Sequence, residues 1–356
     1  VSRDILAVIA RHRAALRAGE VTATRQMHAT WRRVETVLRR RIADIETSLA
    51  TYHRLGRDAE WLRREQVRLV TLQQQVQAQV EEFAANVQEV ALTRVNAAAS
   101  AGTTDAAAAI VASTPPSITA DAVRLPTRAV RDMQAIARFT QFRRLFQRVA
   151  TDTGRLLATE LGDLITTGLA EGRNPRETAR AMRRLVSLTP AARPLPVWRA
   201  ESIARTETMR AYRTATIDTY RQNTRVVRGW VWISALDRTT CASCIAQHGT
   251  VHPLDEEMAT HPRCRCVAAP QTVPWSELGA HGLDDPAVET GPSWFRRQDA
   301  DTQRQVVGAA KHKALRGRAI TLPDLVHRGA SPWGPSTSEA GLAEARRNAA
   351  RRRAAA

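Results

Sequence analysis

The chain has 356 residues, 43% of them hydrophobic, and sets 53 Lys and Arg against 35 Asp and Glu, a formal charge of +18. That length allows about two domains with buried cores, and the positive field attracts polyanions, nucleic acid first and an acidic protein ring second. No apolar run approaches bilayer length and nothing reads as a secretory leader, which argues against membrane partners and predicts a soluble protein.

Residues 1–98 read as a helical arm. Trp31, Val34, Leu38, Ile42, Ile45 and Leu49 recur every three or four positions, and after a turn at Leu55-Gly56 the same period returns at Leu69, Leu72, Val76, Val80, Phe83, Val87 and Val90. A narrow apolar seam of this kind suits a helical hairpin or coiled-coil arm, docked on a twin or another chain, or two helices packed on the protein's own core. Residues 99–127 read as a linker: the run from Ala97 to Pro116 is rich in Ala and ends in a Pro pair, and Ile118 to Pro126 reads as extended.

A second helical region, 128–196, opens with Val130, Met133, Ile136, Phe142, Leu145, Phe146 and Val149. Its next helix runs through Leu157, Leu161, Leu164, Ile165 and Leu169 and stops at Gly172. Asn174-Pro175-Arg176-Glu177 then supplies an N-cap, a first-turn proline and an acidic residue for a helix ending near Ser187. Within the stretch 197–274, Trp198 to Thr224 is a long helix, and Val226 to Ser234 alternates as a strand with Trp230 and Trp232 on one face. Gly249 to His252 and Cys264 to Ala268 are its expected partner strands, around a short helical loop from Leu254 to Ala259. Six of the 8 tryptophans lie from Trp198 onward, which puts the aromatic core in the C-terminal half. Residues 275–335 read as loop followed by one helix from Trp294 to Leu315, and 336–356 as a basic tail. Taken together, this is a mainly α protein whose long N-terminal helices precede an α+β module with a small antiparallel sheet.

All 4 cysteines fall inside that module, as Cys241-x-x-Cys244 and His261-Pro262-Arg263-Cys264-Arg265-Cys266. Two such ligand-bearing turns can close on one tetrahedral ion, and a closed set of thiolates and imidazole suits structural Zn2+. The preferred set is Cys241, Cys244, His261 and Cys264. Cys266 is the alternative ligand, in place of His261 or Cys264, because alternate residues of a strand point to opposite sides and only one of Cys264 and Cys266 need face the metal. The competing readings are reduced thiols that merely pack, two disulfides, or a catalytic thiol. For nucleic acid the candidates are Lys311, Lys313, Arg316 and Arg318 at one helix end and Arg346, Arg347, Arg351, Arg352 and Arg353 in the tail, a helix ordered on phosphate or a frayed terminus.

The quartet Ala204-Arg205-Thr206-Glu207, then Trp230-x-Trp232, then Asp237 to Cys241 with one inserted Thr, then the His261 to Cys266 run, resembles the phage Mu F-like head morphogenesis family of minor head proteins. The resemblance spans roughly residues 175–334, taking in Ser293 to Gln298, Val306-Val307-Gly308 and Ile320 to Val326. It implies a virion protein beside the portal and inside the capsid, with no catalytic residues to carry over. Its expected partners are the portal protein, the major capsid or scaffolding protein, and double-stranded DNA bound without sequence preference. Two other functions compete: a zinc-bearing nucleic-acid regulator, and a hydrolase using Cys241 or Cys244 with His248 and Glu256.

Overall fold

The computed structural model describes residues 3–55, 59–117, 123–126, 142–189, 191–283, 285, 287–331 and 334–355. The expected turn at Gly56, the extended residues 118–122, the helical positions Val130, Met133 and Ile136, and Trp333 lie outside them. Two very long helices open the chain, α1 (Arg3–Leu55) and α2 (Ala59–Ser113). Residues 142–148 are helical and pass through a π-turn (Val149–Thr153) into α3 (Gly154–Ala170), followed by α4 (Pro175–Val186) and α5 (Leu195–Arg221). The rest is β1 (Val227–Ile233), α6 (Ala242–Gln247), β2 (Val251–Pro253), β3 (Val267–Thr272), α7 (Gly291–Arg296), α8 (Ala300–Val307), α9 (Ala309–Arg316), a 3-10 turn (Leu322–Leu325), β4 (Val326–Ser331), β5 (Gly334–Glu339) and α10 (Leu342–Ala354).

These elements fall into two compact units. One comprises Ala18–Val95 and Asp132–Glu207, the other Val1–Arg17, Asn96–Arg131 and Thr208–Ala356. The first unit is helical among its described residues. Its α1 stripe, Met27, Trp31, Val34, Leu38 and Ile42, is almost wholly buried, as are Val76, Val80, Phe83 and Val87 of α2. Trp31 and Phe83 meet edge to face with centroids 5.1 Å apart, and Trp31 Nε1 donates to Val186 O at 2.9 Å. The seam is therefore covered by the chain's own helices, which realises the second of the two readings of the period. Capping follows the sequence: Asn174 Oδ1 accepts the Arg176 amide at 2.9 Å with Pro175 leading the helix, and α3 ends before Gly172 at φ 66°.

The second unit is built around a three-stranded antiparallel sheet in the order β2-β1-β3. On one face Trp230 and Trp232, 0% and 1% exposed, pack with Ile217 and Tyr220 of α5 and Ala106 and Ile110 of α2. On the other, Val231, Ile233 and Ala269 meet Ile5, Ile9, Ala98 and Ala109. The alanines expected to belong to a linker thus continue α2 to Ser113, because Ala98, Ala106 and Ala109 are the small buried face of a helix. Gly102 lets α5 close in: a Cβ there would stand 2.4 Å from Tyr212 O, and Thr216 Oγ1 donates to the Gly102 carbonyl at 3.3 Å.

The sequence reading differs from the structure in three further places. The single helix expected from Trp294 to Leu315 is three short ones, since Asp299 caps α8 through the Thr302 amide and Gly308, at φ 79°, separates α8 from α9. No helix forms between Leu254 and Ala259. An antiparallel strand pair, β4 with β5, was not expected; its strands are Gly-, Ser- and Pro-rich and carry little of the apolar alternation by which strands are read.

Candidate metal centre

The knot is carried by α6 and by the loop that enters β3. Cys241 stands at the N-cap of α6 and Cys244 in its first turn, so one helical turn brings both sulfurs to the same side. From the other side, His261 Nε2 lies 3.4 Å from Cys241 Sγ and 3.3 Å from Cys244 Sγ, and Cys244 Sγ is 3.7 Å from Cys264 Sγ. The donor atoms form two overlapping groups, Cys241-Cys244-His261 and Cys244-Cys264-Cys266, each drawn within 4.8 Å, with Cys244 common to both. A tetrahedral ion with metal–sulfur and metal–nitrogen distances of ~2.3 and ~2.0 Å imposes ligand–ligand edges of ~3.8 Å between sulfurs and ~3.5 Å between sulfur and nitrogen. The observed spacings match those edges, so these Cys and His groups could hold a metal ion.

Cys264 and Cys266 do not obey strand alternation. β3 begins only at Val267, and Arg263 is left-handed at φ 65°, so the two cysteines ride a turn that aims both thiols toward Cys244. Cys266 Sγ also lies 3.3 Å from Ser234 Oγ, whose hydroxyl donates to Cys244 O at 2.7 Å. All four cysteines are reduced.

The protons of the cluster divide unevenly. Hydrogen bonding from Cys244 outweighs burial and, with His261, pushes the Cys241 thiol down to about 5. Cys264 is held well below the usual thiol range, chiefly by Cys244 and then by Cys266. Cys244 is pushed up by its bonds to Cys241 and Cys264. Cys266 also rises: the Cys244 contact lowers it, but Cys264 and burial raise it more. Burial lowers His261, yet the neighbouring thiolates of Cys241 and Cys264 raise it to about 11. His261 Nδ1 is 2.8 Å from Pro262 O and must donate there, which leaves Nε2 as the atom that faces the sulfurs.

Two supporting residues escaped the sequence reading. Arg213, 4% exposed, donates from Nε to Cys266 O at 2.8 Å, from Nη2 to Cys264 O at 2.7 Å and from Nη1 to Thr260 Oγ1 at 3.0 Å. Its guanidinium grips the ligand loop and faces no carboxylate among the described residues. Ser234 joins two of the cysteines as above, and its amide donates to His248 Nδ1 at 2.9 Å. Only the placement of Arg213 on the α5 face toward the knot would have shown its role, and that face is set by tertiary packing.

The residues of the hydrolase reading are dispersed. His248 is buried with Nδ1 occupied by Ser234, and burial drives it down to about 4. Glu256 pairs instead with His252, at 3.1 Å, and His252 stacks on Trp230 with centroids 4.1 Å apart. In the Ala204–Glu207 quartet, Arg205 pairs with Glu20 and Glu207 is buried.

The basic candidates form a built surface. Ala345 and Ala349 of α10 are buried, Arg352 makes two bonds of 3.1 Å to Asp324, and Arg353 donates to Arg318 O and to Ala319 O at 2.7 Å. The tail is accordingly a docked helix. Lys311 is turned inward to Glu339, whereas Lys313, Arg316, Arg318, Arg346, Arg347 and Arg351 remain at the surface.

This architecture defines a mainly helical protein with an α+β module that carries a Cys/His cluster. Residues 159–269, from α3 to the middle of β3 and including the whole knot, match the family model of Phage Mu protein F like protein. The match leaves out Ser293 to Gln298 and Ile320 to Val326, which the sequence resemblance had taken in. The family suggests a phage head morphogenesis protein, found in the virion. Comparison with curated proteins and with solved structures gave no match. No helix among the described residues is long and apolar enough to cross a membrane.

Proposed function

We propose that the chain is a minor head protein bound at the portal inside the phage capsid, contacting packaged DNA and assisting head assembly, packaging or ejection. The observation that carries this reading is the Mu F-like segment folded around the Cys/His knot. A structural zinc ion, held by Cys241, Cys244, His261 and Cys264, supplies a cross-link between α6 and the loop entering β3. Cys266, whose thiol meets the Ser234 hydroxyl, supports the set from behind. The role is structural because the donors close on one another and neither His248 nor Glu256 is aimed at them. A regulator would need a helix to enter a groove, and α6, the helix of the knot, is six residues long and buried throughout. Packaged DNA would lie against the exposed arginines and lysine of α9, α10 and the turn between α9 and the 3-10 segment.

The test is the protein content of DNA-filled particles against particles that have released their DNA. Presence in filled particles supports an internal protein, lost on emptying if it is expelled with the genome and retained if it is fixed at the portal. Absence from filled particles and from assembly intermediates overturns the reading.

A further inference from the structure

In the helical unit, α3, α4 and the start of α5 enclose an open cleft of about 170 Å³. It is lined by Leu157 and Glu160 of α3, Arg184 of α4, and Arg193, Pro194 and Leu195 at the entry to α5. Pockets for small molecules run to ~300–1,000 Å³, so this one suits a single branched or aromatic side chain.

Each wall continues beyond the cleft in a definite way. Residues three or four apart share a helix face. Leu156, four residues before Glu160, is 45% exposed, and Trp198, three residues after Leu195, is 47% exposed, with Leu195 itself at 38%. On α4 the same spacing sets Arg176, Arg180 and Arg184 in one exposed row, and none of the three has an ion-pair partner among the described residues. Glu46 and Glu201 are already taken, by Arg183 and Arg193. Leu157, Leu185, Pro194 and Leu195 make the apolar part of the lining and Glu160 is its one carboxylate; with exposed Leu156 and Trp198 on the same helix faces and a row of guanidinium groups on α4, this is a surface of two chemistries. A DNA backbone would satisfy the arginines and leave the apolar half wet. Proteins seldom leave such apolar surface clustered without a partner, and aromatic and arginine anchors are what protein interfaces enrich.

We infer that this cleft is a docking site for an acidic segment of another protein that inserts one Leu- or Phe-sized side chain between α3 and α5 while its carboxylates run along Arg176, Arg180 and Arg184. The site does not depend on the metal centre or on the virion assignment.

The probe is a displayed random dodecapeptide library, selected on the full-length protein with Arg184→Glu as counter-target, and the winners titrated against both. Enriched peptides are expected to carry several Asp or Glu beside one Leu or Phe. They should lose at least tenfold in affinity on Arg184→Glu, on Leu195→Asp or when their apolar residue becomes Ser. Circular dichroism of the two exposed-site variants should match the parent. Failure to enrich any peptide over the counter-target overturns the inference, as do enriched peptides that are not acidic. Displacement of the winners by a 20-base-pair duplex as readily as by free peptide, with Arg184→Glu weakening duplex binding equally, would make the row a nucleic-acid surface instead.

Discussion

Arg213 Nη2 donates to the main-chain carbonyl of Cys264 at 2.7 Å, from a guanidinium that is itself buried in α5. The bond ties the longest helix of the Mu F-like segment to the turn that carries two of the four sulfurs. It also sets a fixed positive charge beside thiols that ionise readily, and this charge contributes to the low Cys264 value.

Arg213→Met should therefore leave the carbonyls of Cys264 and Cys266 without their donor, at a cost of about 1–3 kcal/mol for each buried group left unsatisfied. Arg213→Lys can restore charge and one bond but not the three-way grip, so its stability should fall between the two. Denaturant unfolding monitored by tryptophan fluorescence checks the order, and Lys equal to Met would show that charge contributes nothing.

Cys244 is the donor shared by both groups of the cluster, whereas Cys266 is also engaged by Ser234. Cys244→Ser is expected to abolish metal binding, and Cys266→Ser to retain one metal per chain with reduced affinity. Elemental analysis of both purified variants decides this. Because a structural site adds its binding free energy to folding, a strong chelator should lower the melting temperature of the parent and leave that of Cys244→Ser unchanged.

His248 supplies the pH dependence that is simplest to assign. Burial lowers its folded value to about 4 from the usual 6.5, so below 6.5 the unfolded chain binds a proton that the folded chain does not. Its contribution is fully present above pH 6.5 and is lost progressively as pH falls toward about 4, where protonation of Nδ1 would also evict the Ser234 amide. Unfolding free energy should decline across that window with a slope approaching one proton, and His248→Gln should flatten it. An unchanged slope in the variant would assign the acid limb elsewhere.

How much of this was legible beforehand depends on whether a feature is local. The helix periods of Trp31 to Leu49 and Leu72 to Val90, the Asn174 cap and the Trp230/Trp232 strand are written in neighbouring residues, and they form where read. The Cys and His positions are local too, and they meet. The turn at Arg263 that defeats strand alternation gives no such signal, since a left-handed arginine is not a residue preference. Nor do buried alanines distinguish themselves from a linker until Tyr212 and Thr216 are packed against Gly102. The docking of α10 was hidden for the same reason: its arginines look alike in sequence, and only Asp324, far along the chain, separates them.

That separation gives the last test. Arg352 is bonded twice to Asp324, a carboxylate 3% exposed as a side chain and held low by Arg352 and by Thr321 against the upward push of burial. Removing its partner would strand a buried charge, so Arg352→Ala should destabilise the α10 dock and lower the melting temperature. Arg346, Arg347 and Arg351 are exposed, and Arg351 Nη2 donates to Asn348 Oδ1 at 2.8 Å. Their triple replacement by Gln should leave the melting temperature nearly unchanged. If α10 faces packaged DNA, the same triple variant should bind duplex more weakly, and the slope of log affinity against log salt should shrink by ~0.9 for each phosphate that is no longer neutralised. Affinity and slope unchanged in the triple variant would remove α10 from the DNA interface while leaving its structural role through Arg352 intact.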